Sequence, residues 1–219
     1  MEQVEKYLRS TPTIDCGIKS IKEKAEDLTK GQEEVIDKAK SLFYFVRDEV
    51  KYNPYLFTKL LEEYRASATL NREKGFCIQK SVLLAALARS VGIPARLRFA
   101  DIRNHILPEQ LAKLNATDLI TYHGYNELYI EGKWVKATIA FDLATCQKNR
   151  LIPVEFDGEH DAIFHSHNLD GKLHIEYVQD HGHYDDLPLD KLIAANIQVY
   201  GPNYFERFEH LSKTREAQG

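Results

Sequence analysis

A thiol at the polar end of an apolar helix is the feature of this sequence best suited to chemistry. In GFCIQKSVLLAALARSVGIPAR, residues 75–96, Cys77 precedes good helix formers from Ile78 to Val91, and the middle turns, Val82 to Ala88, are almost wholly apolar. A helix apolar all round is a buried one. Gly92 and Pro94 supply its stop, since glycine takes the left-handed position after a helix and proline cannot continue one. Gly75 permits a tight approach at the other end and places Cys77 in the first turn, where unpaired N–H groups and the helix dipole favour an anion. A thiolate is such an anion, and a basic neighbour in that setting lowers a thiol pKa from about 8.5 to roughly 3.5–7.5. A lone intracellular cysteine is more often a small buried hydrophobe. The polar end of the helix argues for the nucleophile instead.

The second informative stretch is TYHGYNELYIEGKWVKATIAFD, residues 121–142. Aromatic and β-branched residues flank Glu131-Gly132, which reads as a β-hairpin with a two-residue turn. Pairing Ile130 with Lys133 sets Tyr129 opposite Trp134, Glu127 opposite Lys136, Tyr125 opposite Thr138 and His123 opposite Ala140, and these four pairs share one face. On that face Thr138 and Asp142 are diagonal neighbours of His123, and either could orient its imidazole. A helix cap for the segment that follows is an equal alternative for Asp142. Glu127 is expected to pair with Lys136 across the hairpin.

These elements must be carried by the rest of the chain. Its 219 residues, 43% hydrophobic and 11% aromatic, suit one globular domain with a real core, taken here as residues 1–219. Ile18, Ile21, Ala25 and Leu28 mark a first helix ending before Lys30, and Thr29 and Gln32 have capping-box spacing for a second one. Val35, Ala39, Leu42, Phe43, Val46 and Val50 give that helix its buried side. KYNPY at 51–55 breaks it, and Leu56, Leu60, Leu61 and Tyr64 suggest a shorter amphipathic segment. After the cysteine helix, alternation from Ala95 to Asp101 predicts a strand, and Pro108 opens a short helix with Leu111 and Leu114. A net charge of -4 without a basic stripe argues against nucleic acid as a partner. A charged start and no long apolar run argue against a membrane, so a cytoplasmic protein is expected. Cys16, Cys77 and Cys146 show no paired spacing, and reduced thiols are expected.

Together, GFCIQKSVLLAALARSVGIPAR and HGYNELYIEGKWVKAT resemble the core of the transglutaminase-like superfamily over roughly residues 33–142. That motif runs from a cysteine at a helix start, through a strand with His-x-(aromatic)-x-Glu, to a second strand with Trp-x-x-x-Asp. The resemblance implies a papain-like α+β fold, with a helical N-terminal half and the cysteine helix packed on an antiparallel sheet. It implies Cys77 as nucleophile, His123 as base and acyl transfer through a thioester, with no cofactor. The third position departs from the pattern, because four residues after Trp134 stands Thr138 where the family has Asp. A hydroxyl can fix an imidazole tautomer but only weakly stabilises its charge, and papain-like enzymes use a neutral Asn there. Asp142 is the alternative carboxylate.

The remainder carries His160, His165, His167, His174, His181 and His183. Asp170-Gly171 predicts a second hairpin, and pairing Leu169 with Lys172 would set His167 opposite His174 and His165 opposite Glu176. Such a face could hold zinc, but a polar face without metal is the reading favoured in the absence of tight ligand spacing. Leu189, Leu192, Ile193 and Ile197 predict a closing helix from Pro188 to Tyr200, and SKTREAQG reads as frayed. The expected protein is a thiol enzyme acting on a peptide, a protein or a small amide. The alternative is an inactive relative that binds peptides.

Overall fold

The structure, a computed structural model, describes residues 4–216. After a single-turn helix at Val4–Leu8, α1 (Lys19–Leu28) buries Ile21 and Ala25, and α2 (Val35–Tyr44) buries Ala39, Leu42 and Phe43 before widening into a π-turn at Phe45–Glu49. The expected capping box does not form. Thr29 Oγ1 donates back to Ala25 O at 2.8 Å, which ties it to the end of α1, and α2 begins only at Val35. β1 (Lys51–Tyr52) follows, then a 3₁₀ turn at Leu61–Tyr64, α3 (Ala66–Arg72) and β2 (Lys74–Gly75), which pairs parallel with β1. In the predicted amphipathic segment only Tyr64 is buried, while Leu60 is 55% exposed. The helix actually built there, α3, presents small Ala66 and Thr69 inward.

α4 (Cys77–Ser90) is the buried helix expected, covered from Cys77 through Arg89. It lies on β3 (Ala95–Asn104) and β4 (Leu119–Ile130), which are linked by α5 (Glu109–Asn115). β5 (Lys133–Ala137), α6 (Leu143–Asn149), β6 (Ile175–Tyr184), α7 (Leu189–Tyr200) and α8 (Tyr204–Glu216) complete the chain. The antiparallel sheet has the order β5-β4-β3-β6. The hairpin register is the one predicted, with Ile130 opposite Lys133 and Glu127 opposite Lys136. Glu131 and Gly132, at φ 49° and 85°, form the left-handed turn that such a two-residue loop needs.

Pairing stops at Asn126 and Ala137, earlier than expected. Ala162 pairs along the other edge of β5: its O accepts from Thr138 N and its N donates to Lys136 O, both at 2.9 Å. Tyr125 and Thr138, and His123 and Ala140, are therefore not cross-strand partners. Nor does Glu127 pair with Lys136. It bonds Arg96 at 2.6 Å and Arg98 at 2.8 Å on β3, while Lys136 reaches Asp161.

The second hairpin slips by one residue. Asn168 N donates to Lys172 O and His174 N to Ser166 O, because Asn168 Oδ1 collects the N–H groups of Asp170 and Lys172 into a wider turn. A one-residue slip reverses every facing pair, so the predicted His167–His174 and His165–Glu176 pairs do not form. Among the described residues no three His, Cys, Asp or Glu side chains stand close enough to share a metal ion. The expected frayed end is also corrected: Ser212 to Glu216 continue α8, while residues 217–219 lie outside the described residues. α8 is anchored because Tyr204, Phe205 and Phe208 bury with Leu111 and Tyr200 in a second small core.

Candidate active site

Cys77 is the first residue of α4, and Phe76 before it has no side-chain oxygen to absorb the free N–H groups of the first turn. Gln79 Oε1 accepts from Phe76 N at 3.3 Å, and Gly75 fits where a Cβ would meet Gln79 at 3.2 Å and Thr69 at 3.3 Å. The helix start is thus locked from behind, with the thiol facing forward. The backbone N–H groups of Cys77, Ile78 and Gly124 lie around its sulfur and favour the thiolate. The Gly124 donor is available because β5 has already left that edge of β4. Glycine is required there, since a Cβ at 124 would stand 3.1 Å from Ile78 Cγ1 and 3.2 Å from its Cα.

His123 lies next to that glycine and, by strand alternation, points to the opposite face, between Phe164 at 5.0 Å and Tyr125 at 6.0 Å. A bulge precedes it. Tyr122 takes φ 53°, and Asp101 Oδ1 pins the bulge by accepting from Tyr122 N at 2.9 Å and Thr121 Oγ1 at 2.8 Å. Cys77 and His123 line one narrow cavity of about 100 Å³, without a hydrogen bond between them. Both are buried, at 8% and 2% exposure. Burial pushes the Cys77 thiol up to about 11 against the pull of the three N–H groups and Lys80, and burial alone pushes His123 down to about 3. In this arrangement the pair is neutral.

The two candidates for the third position sit in different surroundings. Thr138 Oγ1 is buried near the Tyr177 phenol without the geometry of a hydrogen bond, and His123 Nε2 is likewise buried and unpartnered. Asp142 caps α6, accepting from Thr145 N, and also holds Tyr52 N, each at 2.6 Å. Burial alone would raise its carboxyl, but those N–H groups and Lys80 outweigh it and hold the group below the usual range. Both Asp142 oxygens therefore serve the backbone rather than the imidazole.

Three site residues escaped sequence reasoning. Gly124 had a signal, being a glycine inside a strand. Lys80 had one too, as a lysine in an otherwise apolar helix. Its Nζ is fully buried, donates to Arg47 O and Ala140 O at 3.0 Å each, and burial lowers it to about 7. Tyr52 had none. β1–β2 pairing sets it beside Gly75, and burial together with the neighbouring Cys77 pushes its phenol far above the ordinary range, so it stays protonated.

A cysteine opening a buried helix, a histidine on the adjoining antiparallel strand and a shared cavity define a papain-like thiol site. The sequence matches the family model of the transglutaminase-like superfamily over residues 22–139, and the chain belongs to that superfamily, a group built on cysteine hydrolase and acyltransferase chemistry. A presumed cysteine protease from Cytophaga hutchinsonii shares the fold, at TM-score 0.54 and 20% identity, over 91% of this chain and 50% of its own. The present chain thus spans half the length of that protein. A presumed protease from Parabacteroides distasonis aligns more loosely, at TM-score 0.41 and 16% identity over 63% of this chain and 25% of its own. No curated protein matches the sequence significantly. No helix of the described residues is long and apolar enough to cross a membrane.

Proposed function

We propose that this chain is a thiol hydrolase of amide bonds, with a peptide or protein as substrate. The observation that carries the reading is the convergence of three backbone N–H groups on a helix-start cysteine that shares its cavity with a histidine. His123 accepts the thiol proton and the sulfur adds to the amide carbonyl. The oxyanion is met by the N–H groups of Cys77 and Gly124, the second being the donor the sequence did not reveal. The imidazolium then protonates the departing amine, leaving a thioester that water hydrolyses. Water is the favoured acceptor because it needs no second binding site. The neutral resting pair means that charge separation follows approach of the imidazole to the sulfur within the cavity, where low dielectric strengthens their attraction.

The test is peptide-mapped mass spectrometry after acid quench of a reaction with a peptide mixture, with His123→Ala alongside and Cys16 and Cys146 as internal controls. An acyl adduct on Cys77 that disappears in the variant is the expected result. Neither adduct nor cleavage, with peptides still retained by the protein, would favour the second reading, a binding module of the same fold. The observation behind that reading is the unpartnered His123 Nε2 facing no carboxylate.

A further inference from the structure

We infer that the preferred acyl donor is an acidic peptide, one carrying Glu or Asp side chains beside the scissile amide. This rests on the hydrolase reading above and adds the substrate class. The thiol cavity adjoins a larger groove of about 980 Å³, the two sharing Tyr52, Pro54, Asn104, Leu107, Leu111 and Phe141. That volume suits a ligand of several residues. The groove is lined by four cationic side chains, Lys51, Lys74, Lys148 and Arg215. Its two carboxylates are already satisfied: Asp48 is held by Arg47 at 2.8 and 2.9 Å, and Asp142 by Tyr52 N and Thr145 N.

Among the described residues, no carboxylate forms an ion pair with Lys51, Lys74 or Lys148. Two of them, Lys51 and Lys74, stand directly opposite each other across the β1–β2 ladder. Like charges in cross-strand register destabilise the pair that bears them. The fold gains nothing from this repulsion, and a rule broken locally without structural return marks a functional surface. Both lysines line the groove, and Tyr52, next to Lys51 in the chain, lines the groove and the thiol cavity alike, so an anion bridging them would lie in the groove beside that cavity. Charge complementarity here is local, since the chain as a whole carries -4. The binding energy is therefore short-ranged and salt-sensitive. Leu56, Ile106 and Phe141 add apolar surface to the groove, which gives such a peptide a hydrophobic contact between its charges.

The experiment uses three pools of end-capped octapeptides, randomised except at two fixed positions holding Glu, Gln or Lys. Binding of each fluorescent pool to the Cys77→Ala protein is measured by anisotropy, and cleavage of each by the unmodified protein is measured in parallel. The Glu pool is expected to bind about tenfold more tightly than the Gln pool, with the preference fading at about 0.5 M salt. It is also expected to vanish in a Lys51→Gln/Lys74→Gln variant whose melting temperature is unchanged or higher, because the repulsion is gone. Equal binding of all pools overturns the inference, as does tighter binding of the Lys pool or displacement of the Glu pool by less of a thymidine oligonucleotide. Cleavage of the Gln and Lys pools as fast as the Glu pool overturns the acidic preference and leaves the hydrolase reading standing. Selective binding of the Glu pool with no cleavage of any pool does the reverse.

Discussion

At the scale of single residues, the site is decided by where buried polar atoms find partners. His123 Nε2 and Thr138 Oγ1 are both orphaned beside the ring cluster of Phe164, Tyr125 and Tyr177. A carboxylate in that region would raise the imidazole pKa and favour the ion pair with Cys77. Thr138→Asp is accordingly expected to speed iodoacetamide alkylation of Cys77 at pH 6 by about tenfold or more, an effect lost when His123→Ala is added. An unchanged rate in Thr138→Asp would show that position 138 does not act on the ring. Glu127 illustrates a different point. The sequence placed it correctly opposite Lys136, yet its charge is taken by Arg96 and Arg98 from the other neighbouring strand. Glu127→Gln leaves two guanidinium groups with a weakened partner, and a loss of about 3–5 kcal/mol is expected in urea unfolding. A loss under about 1 kcal/mol would mean that solvent or Asp180, which also bonds Arg98, compensates.

At the scale of elements, the proposed chemistry depends on how closely β4 approaches the start of α4. Gly124 sets that distance, and its N–H reaches the thiol only while the strand lies against Ile78. Gly124→Ala forces the strand or helix to yield by a few tenths of an ångström. The expected outcome is about 1–3 kcal/mol of destabilisation from overpacking and a larger fall in kcat than in KM, since an oxyanion donor is misplaced. A variant that loses stability but keeps kcat would remove Gly124 from the site. The helix itself was legible beforehand, because its apolar run, glycine stop and cysteine head are local properties of residues 75–96. The second hairpin was not, since Asn168 could close either a two-residue or a wider turn and only the competition for its Oδ1 chose between them.

For the whole molecule, buried ionisable groups set the dependence of stability on pH. His123 and His174 are held neutral, lowered to about 3 and about 4, whereas the unfolded chain takes up their protons below about 6.5. Stability therefore falls as pH drops below that value. Lys80, lowered to about 7, adds stability as pH rises from there toward 10.5, because only the unfolded chain still binds its proton. Cys77 and Cys146, raised to about 11, oppose it above about 9. Unfolding free energy should climb between pH 4 and 9 and then decline, because two thiols there oppose one lysine. The rise between 7 and 9 should be at most about 1.4 kcal/mol per unit and absent in Lys80→Met. Denaturant titrations across this range check the sign, and a profile unchanged by Lys80→Met would place the proton elsewhere.

The sequence by itself determined the buried cysteine helix, the register of the β4–β5 hairpin and the family motif, because each rests on periodicity, turn chemistry or spacing within a few residues. Tertiary structure alone decided the rest. It took Asp142 for the backbone of α6 and β1, turned Glu127 to β3, drew β5 away at Ala137 so that Gly124 could face the thiol, and set Lys51 against Lys74 at the groove. The physical reason is the same in each case: a polar group's partner is chosen by competition among everything folded around it, and residues distant in sequence supply most of the competitors.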